Sequence, residues 1–128
     1  MKVSESLRSP GLRHHFPDGV IAAGCPSRVV LDHVTSKWGF LVLLALAEGD
    51  APRWSELRRR VQGVSEKMLA QTLRTLESDG LVARDARPVV PPHVEYSLTP
   101  LGTELAVLLT PLMDWLVRHA PDILDHAS

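Results

Sequence analysis

The sequence predicts a mainly α-helical fold with a small β-wing, arranged as a winged helix-turn-helix. Three observations carry that expectation. Two short helical segments flank a Gly-containing turn at Gln62-Gly63-Val64; two short alternating segments follow them across a loop holding Pro88, Pro91 and Pro92; and a long Leu-rich helix closes the chain. A chain of 128 residues that is 45% hydrophobic has the size of one domain with its own core. With a single Cys, neither an internal disulfide nor a structural zinc site is expected, so the core alone must hold the fold.

Taken in order, residues 1–24 mix Ser, Pro, Gly and His without a period and read as a flexible N-terminal tail; the domain is expected over 25–120 and a second tail over 121–128. Cys25-Pro26 can open a helix, because proline is preorganised for the first helical position. Lys37 to Glu48 is apolar nearly all round, as expected of a core helix, and Gly49-Asp50-Ala51-Pro52 stops it. Ser55 is a suitable N-cap for a helix through Val61 with Leu57 and Val61 inward, and Ser65 for a second helix running to Asp79 and closed by Gly80. Leu81–Arg84 and Val94–Leu98 read as strands, with Arg87–Pro92 as the loop and the wing over 84–94. Thr99-Pro100 starts the last helix, in which Leu101, Leu105, Leu108, Leu112 and Trp115 recur at heptad spacing and Leu116 widens the stripe. That is more apolar surface than one small domain covers, so these six residues are the expected dimer interface. Pro111 should kink or interrupt this helix.

The formal charge is only −1, yet charge is unevenly spread. Between Arg53 and Arg74 the bases Arg53, Arg58, Arg59, Arg60, Lys67 and Arg74 face only Glu56 and Glu66, while the last thirty residues are acidic. Such a local surplus is what a phosphate backbone attracts; a solvated helix face is the plainer alternative. On a wheel of 100° per residue, Leu69, Leu73 and Leu76 gather on one side, and Lys67, Gln71, Arg74 and Ser78 fall about 140–200° away. A helix fits the major groove, where Arg or Lys pairs with guanine and Gln with adenine.

Lys37-Trp38, Trp54-Ser55-Glu56-Leu57-Arg58, Val64-Ser65-Glu66-Lys67-Met68-Leu69, Gln71, Leu73-Arg74-Thr75-Leu76-Glu77, Gly80-Leu81-Val82, Pro91-Pro92-His93-Val94-Glu95-Tyr96-Ser97-Leu98-Thr99 and Gly102 together resemble the HxlR-type branch of the MarR-like winged-helix transcriptional regulators, over about Cys25 to Trp115. The resemblance implies a cytoplasmic, homodimeric, bacterial-type regulator dimerising through terminal helices. It places a recognition helix over 65–79 in the major groove of double-stranded DNA at an inverted-repeat operator, with the wing on the backbone. In that pattern Ser65, Lys67, Gln71 and Arg74 lie on the DNA side. With the charge pattern, the expected DNA-binding set is Arg53, Arg58, Arg59, Ser65, Lys67, Gln71, Arg74, Arg87 and His93. The family often has Arg where His93 stands, and Gly-Gly where Thr35-Ser36 precede Lys37. It often carries a Cys before its first helix, as Cys25 is here, and in some members that thiol senses oxidants or electrophiles.

Cys25 is thus a candidate redox sensor, the alternative being a small buried hydrophobe. Trp38, Trp54 and Trp115 are candidates to line a pocket for a small-molecule effector, or else core. The six His residues lack metal-ligand spacing, and neither a phosphate loop nor a catalytic triad context is visible, so no metal, cofactor or enzymatic activity is expected. The longest apolar run, Trp38–Ala47, is about half of the roughly 20 residues that span a bilayer, and no leader pattern opens the chain; no membrane partner is expected. A winged-helix protein-interaction module without DNA binding is the alternative function.

Overall fold

The computed structural model describes residues 24–127, so nearly all of the expected tail 1–24 lies outside the described residues. The chain divides into two compact units, the first ending at Thr35 and the second starting at Ser36. In the first, helix α1 (Pro26–Thr35) begins at the expected proline, and the Arg28 N–H donates to the Cys25 carbonyl at 2.9 Å. Thr35 closes it by donating its hydroxyl to the Leu31 carbonyl at 2.6 Å. Val29, Val30 and Leu31 are exposed.

The second unit contains α2 (Lys37–Leu46), α3 (Trp54–Arg60), α4 (Glu66–Ser78), β1 (Val82–Arg87), β2 (His93–Leu98) and α5 (Pro100–Ala127). Helix α2 is the hub: it packs on α3, α4, β2 and α5, with Val42, Leu43 and Leu46 almost fully buried. Each such side chain contributes about 1.5–3 kcal/mol by leaving water. Ser36 caps α2, its hydroxyl accepting from the Gly39 N–H at 3.2 Å. Leu57 from α3, Leu69, Leu73 and Leu76 from α4, Tyr96 from β2 and Ala106 and Leu109 from α5 complete the core.

Local capping explains α4 in full. The Ser65 hydroxyl accepts from the Met68 N–H at 3.1 Å, and Gly80, at φ +77°, turns the chain left-handed. The Gly80 N–H then bonds the Glu77 carbonyl and the Leu81 N–H the Leu76 carbonyl, both at 3.0 Å, which satisfies two orphan acceptors of the last turn. The wing is a two-stranded antiparallel sheet in register from Val82 opposite Leu98 to Arg87 opposite His93.

Four sequence expectations need correction. Helix α3 starts at Trp54, with Arg53 as its N-cap and no side-chain cap, because Pro52 and Arg53 are held by β2: the Tyr96 N–H donates to the Pro52 carbonyl at 3.0 Å and Arg53 bridges Glu95. Ser55 therefore lies inside the helix. The strands extend further toward the tip than Arg84 and Val94, leaving 88–92 as the loop, since Arg87 and His93 still pair across the sheet. The last helix continues through residues 121–127, where a tail is expected, and it contains both Pro111 and Pro121 without interruption. By length and composition alone α5 is long and apolar enough to cross a membrane.

Arg60 ties the end of α2 to α3. Its guanidinium donates to the Ala45 carbonyl at 3.3 Å, one of the acceptors left open at a helix end, to both oxygens of Asp50 and to Glu56 at 2.9 Å, with Glu48 at 3.3 Å. The hydrogen bond from Arg60 holds the Asp50 carboxyl below its ordinary value of 3.8. A lowered folded-state pKa adds stability above the unfolded value, and that stability is lost as pH falls through the folded one. Arg60→Ala is therefore expected to melt below wild type at pH 7, with the gap between the two narrowing as pH drops below 3.8; thermal unfolding from pH 7 to pH 3 checks this.

Candidate nucleic-acid interface

Helix α4 is amphipathic in the sense its wheel requires: Leu69, Leu73 and Leu76 are buried, and Lys67, Gln71, Arg74 and Ser78 are exposed on the other side. Neither Lys67 nor Arg74 forms an ion pair among the described residues, nor does Arg59 on α3. The turn between α3 and α4 passes through Gly63 at φ +90°. Beside it, Trp54, Ser55, Arg58, Arg59, Gly63, Val64, Ser65 and Glu66 line a groove of about 700 Å³. Two guanidinium groups and the start of a 13-residue helix, with the positive end of its dipole, give the groove a cationic wall. Arg58 is partly spoken for, since Glu66 lies 3.1 Å away. Ser65 is likewise committed to its cap.

Two of the remaining cations of the expected set, Arg87 and His93, meet at a single wing carboxylate. His93 Nε2 lies 2.5 Å from Glu95 Oε2, Arg87 Nη2 lies 3.6 Å from Oε1 of the same residue and 3.6 Å separates Arg87 Nε from Asp85. The Arg53 backbone bridges that of Glu95, and its guanidinium donates to the Pro92 carbonyl at 3.5 Å. The hydrogen bond from His93, with Arg87 and Arg53 nearby, holds the Glu95 carboxyl below the usual carboxylate range despite partial burial. The structure thus gathers the expected residues into two groups, Arg58, Arg59 and Ser65 with the α4 face, and Arg53, Arg87 and His93 on the wing.

Of the residues expected at a dimer interface, Leu101, Leu108, Leu112, Trp115 and Leu116 are exposed and Leu105 is half-buried. Helix α5 carries two apolar stripes: Gly102, Ala106 and Leu109 are buried on the body, and the leucine stripe faces away, with Leu108 70% exposed. Trp115 stacks on His119 with ring centroids 4.3 Å apart, Trp38 lies under the Lys37 ammonium at 4.3 Å, and Trp54 alone of the three lines the groove, so no shared tryptophan pocket forms there. Cys25 is half-buried, with its Sγ 2.7 Å from the Ser27 hydroxyl. Among the described residues no cluster of three or more His, Cys, Asp or Glu side chains could hold a metal.

The HxlR-like helix-turn-helix family matches residues 33–123, most of the chain. The chain belongs to that family. Its similarity to the HTH-type transcriptional regulator YtfH of Escherichia coli K12 is 57% identity over 105 residues, covering 82% of each chain. A solved transcriptional regulator YtfH from Salmonella typhimurium is 53% identical, with a TM-score of 0.79 over 85% of this chain and 96% of that one. The oxidised form of the redox regulator HypR is 37% identical, with a TM-score of 0.65 over 73% of this chain and 96% of its own. This HxlR-like chain is accordingly a transcriptional regulator of helix-turn-helix type, mostly helical with a two-stranded wing. The sequence alone counted Arg60 and Glu66 in the charge balance without their pairings and gave Glu95 no role. The alternation of β2 puts His93 and Glu95 on one strand face, a signal that could have paired them; the Arg60 clamp depends on a loop and has no local signature.

Proposed function

We propose that the protein is a sequence-specific, DNA-binding transcriptional regulator acting in the cytoplasm as a homodimer on an inverted-repeat operator, with α4 in the major groove and the wing on the backbone. The observation that carries this reading is the α4 face: Lys67, Gln71 and Arg74 stand exposed opposite the core, and no carboxylate among the described residues pairs with either cation. A protein-interaction module would have those cations paired or covered. Bidentate contacts from such side chains to base edges contribute about 1–3 kcal/mol of discrimination each.

Dimerisation draws support from α5. An apolar face running from Leu101 through Leu108, Leu112, Trp115 and Leu116 to Leu124 is too large to leave in water. Glu104, Asp114 and Arg118 punctuate the same helix and its other face is buried on the body, which suits a second copy better than a bilayer. A twofold pair would present two recognition helices about 34 Å apart, one turn of DNA. A second reading, regulation through Cys25, rests on a thiol that is half-exposed immediately before α1 and within reach of a hydroxyl.

Four outcomes are expected. Binding to the DNA upstream of the protein's own gene should fall steeply between low and moderate salt. Arg74→Ala should weaken it by about 1–3 kcal/mol with little change in melting temperature, whereas Leu73→Ala should cost roughly 2–5 kcal/mol of stability; wild-type operator binding by Arg74→Ala would show that the DNA face is misassigned. Replacing Leu108 and Leu112 together with Glu should turn a dimer into a monomer in sedimentation at micromolar concentration, and a monomeric wild type would end the dimer reading. Mild oxidation should change operator binding by the wild type but not by Cys25→Ser; equal responses would make Cys25 structural.

A further inference from the structure

The wing's strand pairing creates an electrostatic problem and a solution to it. Asp85 lies directly opposite Glu95 in the register, and Arg87 directly opposite His93. Because side chains alternate, Asp85, Arg87, His93 and Glu95 all share one face of the ribbon. Like charges directly opposite destabilise a sheet pair, so this square holds only because its cations sit on the other two corners. Glu95 is the most enclosed of its charged groups together with His93, each side chain being 25% exposed against 54% for Arg87 and 62% for Asp85. At the start of α3 the Arg53 backbone bridges that of Glu95, which brings the Arg53 charge near the same carboxylate. One anion thus pairs with Arg87 from β1 and His93 from β2, with Arg53 acting on it at longer range.

The distances separate a hydrogen bond from looser ion pairs. His93 contacts Glu95 at 2.5 Å, whereas Arg87 stands at 3.6 Å, beyond hydrogen-bonding range, and keeps most of its donors open. An Arg held by charge rather than by a fixed bidentate bond can exchange one anion for another cheaply. A DNA phosphate, with more accessible oxygens, fits the same donors.

Resting on the DNA-binding reading, we propose that Glu95 is a positioning residue for the wing: in the free protein it acts as an internal counter-anion that holds Arg87 and His93, and on binding it yields Arg87 to a backbone phosphate. Glu95 thus weakens binding to every sequence alike. It also makes affinity less dependent on salt, because the Glu95 carboxylate, once it yields Arg87, takes up a salt cation that offsets one released from the DNA.

The test is Glu95→Gln, which keeps size and removes charge. Fluorescence anisotropy of the full chain on its own upstream DNA, over several salt concentrations, should show binding at least about threefold tighter than wild type at low salt, with the slope of log K against log salt steeper by about one. Arg87→Ala should cost more affinity in the Glu95→Gln background than in the wild type. An unchanged slope, weaker binding by Glu95→Gln, or a large fall in its unfolding temperature marks Glu95 as a structural brace and overturns the proposal. A wild type without salt-dependent DNA binding overturns this proposal and the reading beneath it together, whereas wild-type binding with an unaltered Glu95→Gln slope overturns this one alone.

Discussion

Helix α4, the wing and the long terminal helix are joined at one short stretch of backbone, Gly80-Leu81. The Leu81 N–H ends α4 by bonding the Leu76 carbonyl, and its own carbonyl accepts from the Thr99 N–H at 3.1 Å. Thr99 donates its hydroxyl to the Gly80 carbonyl at 2.6 Å and, with the same oxygen, accepts from the Gly102 N–H at 3.0 Å, capping α5. Gly102 must be glycine here, since a Cβ at that position would overlap the Leu81 carbonyl. The two ends of the wing ribbon, Val82 and Leu98, are paired immediately beyond this knot. Helix α4 and a helix with an unmatched apolar face therefore share one rigid joint with buried Leu76, Leu81 and Val82 around it. Any rearrangement of α5 is transmitted to α4 through hydrogen bonds and close packing rather than through a flexible linker.

How legible this was in the sequence depends on whether a feature is fixed locally. Helix α4 was readable in detail because its cap at Ser65, its apolar spacing and its Gly80 stop all lie within sixteen residues and all agree. The core position of α2 followed from its lack of a polar face. The start of α3 was misplaced because a good local cap, Ser55, lost to a distant partner: β2 holds Pro52 and Arg53 extended, and the helix can begin only after them. In α5 Pro111 suggested a kink or an interruption, yet the helix continues with apolar Val117, Ile123 and Leu124, and a missing N–H at Pro111 or Pro121 costs one bond rather than the helix. At the site, the exposed set on α4 was legible by wheel alone. The wing was not, since its cations are defined by a carboxylate whose role appears only when the strand register is known.

Charge, finally, is partitioned rather than balanced. A chain of net charge −1 can still show DNA a positive face if its carboxylates are spent elsewhere. Arg60, counted from sequence with the basic run, is wholly engaged by Asp50, Glu56 and Glu48 and adds stability at the α2–α3 junction rather than potential at the surface. The acids of α5, Glu104, Asp114, Asp122 and Asp125, sit on the helix that carries the outward leucine stripe rather than on the α4 face. What remains open toward solvent on the helix-turn-helix is Arg59, Lys67 and Arg74, with Arg58 half-committed to Glu66. So few unpaired cations give a shallow electrostatic attraction, and on the proposed reading discrimination comes from what α4 places in the groove and from the simultaneous engagement of two copies. In that reading the apolar outer face of α5 would supply the second copy of α4 that the charge alone could not replace.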